Sequence, residues 1–305
     1  MKFGKLSDIS NVVFSLPSEP EENKTILSSF PKQNTPPKIH IGCTGWSMKE
    51  WVGKVYPLKT PAKDYLKHYA RQFNTIELNT THYRIPSEAN IEKWKNESTT
   101  DFRFCPKIPQ VISHSADLGG NNDALNNFCK NILLLEEKLG CCFMQLPPYF
   151  GIDRLPVLEH FLQRFPKEIR LAIELRHESI FSNKKNQQEV ADLLKKYNIA
   201  WVNTDVAGRR DVLHLQLTTN IAMIRFVGND LHPTDYQRID EWVQKLKDWS
   251  AKGLLEIYFF PHEPDNILAP DLSLYLADEL QKHFKVITRG PKFYEEDDGK
   301  QMSLF

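Results

Sequence analysis

The stretch Ile221–Phe260, IAMIRFVGNDLHPTDYQRIDEWVQKLKDWSAKGLLEIYFF, contains one complete strand–helix–strand repeat. Ala222–Val227 and Glu256–Phe260 are near-continuous apolar runs, as expected of parallel strands covered on both faces. Between them Tyr236, Ile239, Trp242, Val243, Leu246 and Trp249 recur at helical spacing. Thr234 and Gln237 stand at capping-box spacing ahead of that stripe, and Gly253 follows it as a stop. Parallel strands need a crossover helix, so this order predicts a βαβ unit.

Working outward, the same rhythm starts at residue 38. Six further runs have strand character: Ile39–Cys43, Thr75–Leu78, Phe102–Pro106, Cys141–Leu146, Arg170–Leu175 and Ala200–Thr204. Helical stripes separate most of them, including Ala62, Tyr65, Leu66, Tyr69 and Phe73, then Leu125, Phe128, Ile132 and Leu135. Leu155, Leu158, Phe161, Leu162 and Phe165 form another, followed by Val190, Leu193, Leu194 and Tyr197, and last by Leu272, Tyr275, Leu276 and Leu280. The segment around Ile91 and Trp94 is a weaker helix, and AGRRDVLHLQL (207–217) does not read as a helix. Eight βα repeats predict a single α/β domain folded as a (β/α)₈ TIM-type barrel. An open doubly wound sheet is the alternative, but Gly42, Gly45 and Gly53 lack the spacing of a dinucleotide-binding turn.

Residues 1–37 are interrupted by Pro17, Pro20, Pro31, Pro36 and Pro37. They hold too few apolar groups for a core of their own. They are read as an irregular arm, with Phe3, Val12, Val13, Phe14 and Leu16 able to dock on a surface. Residues 38–290 form the barrel domain, and 291–305 form a polar, flexible tail.

Composition narrows the function classes. The chain has 305 residues, a length suited to an α/β barrel with insertions, and its 41% hydrophobic content supports a large core. Lys plus Arg and Asp plus Glu are equal at 39 each, which argues against coating nucleic acid by bulk charge. Cys43, Cys105, Cys129, Cys141 and Cys142 include no C-x-x-C pair and lie mostly in apolar runs, which predicts buried thiols in a reducing compartment. MKFGKLSDISNVVFS (1–15) has no continuous apolar signal region, and no run approaches the roughly 20 apolar residues that span a bilayer. A cytoplasmic protein without a membrane partner is expected.

In such a barrel, reacting groups sit where strands end and βα loops begin. Read in order, those positions carry Thr44, then Glu77, Asn79, His82, Tyr83 and Arg84, then Lys107 and His114. Gln145 follows, then Glu174, Arg176 and His177, Asp205, Arg225, and finally His262 and Glu263. The opposite strand ends (His40, Thr75, Arg103 and Arg170) are poorer in acids and histidines. Charges within apolar runs are costly unless paired. One reading is therefore a set of ion pairs plugging one end of the barrel. The other is a pocket in which Glu77, Lys107, Glu174 and Asp205 are candidate catalytic groups and Asn79, Tyr83, Arg84, Gln145, Arg176, His177 and Arg225 are candidate substrate contacts. Glu77 and Glu174 can serve as an acid–base pair. Lys107 can form a Schiff base or pair with Glu77. A metal set can be drawn from Glu77, Glu174, His177, Asp205 and His262, but no spacing demands a metal or any other cofactor.

Four motifs in order resemble one family. IGCTGWSMKEW (41–51) with Tyr56–Pro57, IELNTTHYRIPS (76–87), QLPP (145–148) and Glu174-Leu175-Arg176-His177 resemble the DUF72, or YecE-like, family over about residues 39–284. The resemblance implies a TIM-type barrel and supplies no reaction, because the family's biochemical function is not established. The chain departs from the family pattern at His82, where Phe is usual. It departs again at Val227, where the Arg-x-His-Gly motif has His, and at Pro261–Pro264, in place of an Asn-rich turn.

The final residues Gln301, Met302, Ser303, Leu304 and Phe305 resemble the short peptide that docks on bacterial sliding clamps. An exposed tail offers a glutamine amide and three apolar plugs to a groove. Three functions follow as expectations. The first is an enzyme with acid–base or hydrolytic chemistry in the strand-end pocket. The second is a replication- or repair-associated protein recruited by a DNA sliding clamp. The third is a barrel that binds a small anionic ligand or nucleic acid without chemistry.

Overall fold

A computed structural model describes residues 4–30, 35–121, 123–284 and 288–294. The chain is a mixed α/β fold with parallel sheets. Among the described residues nine strands form three of them. In the first, β1 (Lys38–Ile41) pairs with β9 (Glu256–His262), then β8 (Ile221–Val227), then β7 (Asn203–Asp205). In the second, β2 (Thr75–Leu78) pairs with β3 (Arg103–Pro106). The third contains β4 (Cys142–Gln145), β5 (Leu171–Glu174) and β6 (Ala200–Trp201). All paired strands run parallel.

The predicted sixth run divides at Val202: β6 pairs with β5 and β7 pairs with β8. That split accounts for nine strands where eight are read from the sequence. The ladders among the described residues do not close into one continuous barrel. Their edges meet through isolated contacts. The Glu77 N–H donates to the Cys43 carbonyl at 3.0 Å, and single parallel bridges join Phe104 to Leu139 and Lys107 to Phe143. Gly42 permits the first approach, because a Cβ there would lie 2.1 Å from the Thr75 carbonyl oxygen.

The helices follow the apolar stripes. After an N-terminal helix α1 (Glu22–Ser28), those longer than one turn are α2 (Tyr65–Gln72), α3 (Glu88–Glu97), α4 (Ala124–Leu133), α5 (Leu155–Arg164), α6 (Lys184–Lys196), α7 (Pro233–Lys252) and α8 (Ala269–Phe284). The weakly signalled helix forms as α3 and buries Ile91 and Trp94. On α7 the cap lies two residues earlier than the capping-box spacing predicts. Pro233 takes the first helical position, and the His232 ring accepts from the Thr234 N–H. Proline suits that position because it has no N–H to satisfy.

Residues 207–217 form a short 3₁₀ turn and then an irregular run that buries Leu213, Leu215 and Leu217. The N-terminal arm takes the place of the missing helix. Asn23 of α1 donates to the Leu215 carbonyl and accepts from the Leu217 N–H, both at 2.8 Å. Among the described residues of the arm, 22–28 are helical and the others carry no helix or strand. Phe14 lies against the guanidinium groups of Arg210 and Arg238, and Glu19 accepts from Trp249 and Lys245 of α7. Phe3 and the tail peptide Gln301–Phe305 lie outside the described residues. At the described end of the chain the Tyr294 N–H donates to the Lys54 carbonyl.

Between the sheets, Cys105, Phe143, Ala172, Val202, Met223, Tyr258 and Phe260 pack into one apolar cluster. All five cysteines are unpaired and buried. The N-terminal strand ends are sealed by Glu256, which meets His40, Arg170 and the Tyr258 hydroxyl. Among the described residues, no helix is long and apolar enough to cross a membrane.

Candidate functional site

The C-terminal strand ends converge on Arg225. This side chain leaves the middle of β8 and is buried. Its Nε donates to Glu77 Oε2 at 2.7 Å, and its Nη2 donates to Glu77 Oε1 at 2.9 Å. Its Nη1 donates to Glu174 Oε2. Arg176 Nε donates to the other Glu174 oxygen at 2.6 Å. Two carboxylates from different sheets therefore share one guanidinium.

Four more residues complete the network. Asn79 Nδ2 donates to Glu77 Oε1 at 3.0 Å, and His262 Nε2 lies 3.1 Å from Glu77 Oε2. Gln145 Nε2 donates to Glu174 Oε2 at 2.9 Å, while its Oε1 accepts from Lys107 Nζ at 3.1 Å. Gln145 thus places a neutral amide between the lysine and Glu174.

Electrostatics follow from this order. Burial alone would raise Glu77 and Glu174, but the cations outweigh it. Arg225 and His262 hold Glu77 well below the usual carboxylate range. Arg176 and Arg225 hold Glu174 at about 2. Both are ionised acceptors committed to cations, so neither is a free base. Lys107 goes the other way. Burial and then the charge of Arg225 push its amine down to about 8, against the pull of Glu77 and Glu174. Burial also lowers His262, with the Glu77 contact opposing it, and takes His82 to about 4.

Lys107 and Gln145 line a cavity of about 540 Å³, with Asn79, His82, Tyr83 and His262 on the same wall system. The far side is built by Gly228–Asp230, Glu263 and, unexpectedly, the arm residues Gly4–Ser7 and Ile9. The Gly208 N–H donates to the Gly4 carbonyl at 2.8 Å. Gly4 has φ +68°, and a Cβ on Gly208 would lie 2.8 Å from that carbonyl oxygen, so glycine at both positions lets the arm seat. Glu263 accepts from the Asp230 N–H at 2.8 Å, and burial raises its carboxyl to about 7.

The remaining predicted residues lie elsewhere. Asp205 is buried beneath the arm, where it meets Arg238, Arg210 and the Trp242 indole N–H at 2.8 Å. His177 caps the short helix Glu178–Phe181 through the Ser179 N–H. Arg84 lies exposed on a neighbouring groove. Among the described residues, no group of three or more His, Cys, Asp or Glu is placed to hold a metal. Arg225 stands between Glu77 and Glu174, and both Asp205 and His177 are engaged elsewhere.

The family described as "Protein of unknown function DUF72" matches residues 40–295. The chain belongs to the DUF72 family. A curated relative, UPF0759 protein YecE from Escherichia coli (strain K12), is 33% identical over 285 residues, covering 88% of this chain and all of the relative. UPF0759 protein YunF from Bacillus subtilis (strain 168) is 28% identical over 151 residues, covering 47% of this chain and 52% of that protein. A solved DUF72 family protein from Enterococcus faecalis V583 shares the fold, with a TM-score of 0.63 at 19% identity, over 83% of this chain and 98% of that one.

Seen as a DUF72 protein, the chain clusters its matched motif residues Glu77, Asn79, Gln145, Glu174 and Arg176 around Arg225. One departure has a local counterpart. Val227 stands where the family motif has histidine, and its register partner on β9 is His262, which contacts Glu77. Glu263 and the arm residues of the cavity wall are absent from the candidate set. The Pro261–Pro264 turn marked the position of Glu263, but no motif in residues 4–9 points to the cavity.

Proposed function

We propose that this DUF72 protein is an enzyme whose active site is the cavity beside Lys107, and that the lysine amine is its reactive group. The carrying observation is the Lys107–Gln145 contact. A lysine paired directly with a carboxylate stays charged, whereas this one meets a neutral amide in the wall of a cavity. An amine shifted to about 8 has an appreciable unprotonated fraction near neutral pH. It can take a proton from a substrate or add to a carbonyl carbon with loss of water. In this reading Glu77 and Glu174 set the position and charge of Arg225, and Glu263 supplies a second group that titrates near neutrality. Pairs of groups pushed toward neutrality in one cavity favour acid–base work.

The architecture that fits this placement is the closed (β/α)₈ barrel. The contacts between β1 and β2 and between β3 and β4, and the continuity of β6 with β7 through Val202, support a cyclic order of eight. The test is a turnover screen with small carbonyl and anionic metabolites on the intact chain and on Lys107→Met. An activity lost in the variant while its unfolding midpoint is retained supports the proposal. An activity undiminished in Lys107→Met overturns it.

A further inference from the structure

Beside the cavity lies a groove that the proposed chemistry does not use. It is open, about 480 Å³, and shares His82 and Tyr83 with the cavity wall. Its other walls include Arg84, Val111 and His114. Two of the most solvent-exposed apolar side chains line it, Tyr83 at 80% and Val111 at 55%, and Tyr149, at 59%, stands beside it. Tyr149 is held at the groove by its hydroxyl, which donates to the His114 carbonyl at 3.2 Å. The His82 ring meets Tyr83 and His114 edge-on, at 5.3 and 5.4 Å. An aromatic cluster that costs water contact on this scale is usually covered by a ligand.

Placement and charge restrict that ligand. His82 and Tyr83 line both the cavity and the groove, so a molecule too long for the cavity can extend over them into the groove. The groove lining contains Arg84 and no carboxylate among the described residues. Lys107 sits in the adjoining cavity. The two sites together suit a molecule with an anionic group at one end and a flat ring at the other. Tyrosine and histidine faces stack on any base, and arginine adds attraction for anion and ring alike.

We infer that the ligand of this site is of the nucleoside monophosphate class, with its phosphate toward Lys107 in the cavity and its base stacked on the Tyr83–Tyr149 rim. The inference rests on the cavity being a ligand site, as proposed above.

The experiment is calorimetric titration of the full chain with adenosine monophosphate, ribose 5-phosphate and inorganic phosphate. The proteins compared are the unaltered chain, the double variant Tyr83→Ala/Tyr149→Ala and Lys107→Met. Base stacking should make the adenosine compound bind about tenfold or more tighter than ribose 5-phosphate. The double variant should erase that preference, weakening the adenosine compound more than ribose 5-phosphate. Both tyrosines are exposed, so folding is not at stake. Lys107→Met should weaken both ligands. Equal affinity for the two sugar phosphates, no saturable binding at millimolar concentration, or an unaltered preference in the double variant overturns the inference. If Lys107→Met changes neither affinity while the rim variant removes the preference, the role given to Lys107 fails and the rim stands.

Discussion

Arg225 faces Glu77 side-on, so that Nε and Nη2 bind separate carboxylate oxygens at 2.7 and 2.9 Å in a fully buried setting. The pair joins β8 of one sheet to β2 of another. Removing one partner of a buried pair leaves an uncompensated charge, which costs about 3–5 kcal/mol. Arg225→Met takes a cation from two buried carboxylates at once, leaving Glu174 with Arg176 and Glu77 with Asn79 and His262. Its stability in urea should fall by at least that amount, and a loss below about 1 kcal/mol would contradict the geometry.

The acid limb of stability follows from the same cluster. Glu174 is held at about 2 against a usual 4.5. A depressed carboxyl contributes in full above its unfolded value and loses that contribution as pH falls through the folded one. Unfolding midpoints should therefore drop between about pH 4.5 and 2. Glu174→Gln should be less stable at neutral pH and flatter across this window.

Glu263 has the opposite sign. Its carboxyl is raised to about 7, so between 4.5 and 7 the folded chain keeps a proton that the unfolded chain has released. Stability should decline as pH rises through that interval. Glu263→Gln should remove the decline. A variant that tracks the parent curve point for point would show that Glu263 does not titrate there.

Gln145 insulates Lys107 from Glu174. Gln145→Glu replaces the amide with a charge at the same contact, so the amine should titrate closer to its usual 10.5 than to about 8. Carbon-13 spectra of the reductively methylated protein would follow this directly, with Lys107→Met identifying the resonance. A lysine still near 8 in Gln145→Glu would mean that desolvation alone sets its value.

The arm contact offers a local test. Gly208→Val places a side chain against the Gly4 carbonyl oxygen. Cleavage by trypsin after Lys5 should become faster, while the global unfolding midpoint stays within the range of surface substitutions, about 0.5 kcal/mol.

Much of the architecture was legible because parallel strands leave a strong mark. Glu256–Phe260 and Cys141–Leu146 are apolar on both faces, and the intervening stripes recur at helical period. Glu77, Glu174 and Arg225 stood out because a charge in such a run needs a partner. Their roles were harder to read. Whether a buried glutamate is free or neutralised depends on an arginine about 50 or 150 positions away, and no local pattern encodes that pairing. Asp205 was grouped with the site by its strand-end position, yet Arg238 and Trp242 of α7 draw it beneath the arm. Within the arm, the helix Glu22–Ser28 gives no clear sequence signal between the prolines, and the buried Asn23 that docks it is a single polar residue. The joints between the three sheets are individual edge contacts, such as the Gly42 approach, that periodicity does not carry.

The seat of that arm has a temporal side. Gly4–Ile9 are translated long before Gly208, which holds Gly4, and before Gly228–Asp230 and Glu263, which share the cavity wall with them. The segment must therefore wait, unseated, until those later residues have been made. A partly made chain has no finished cavity.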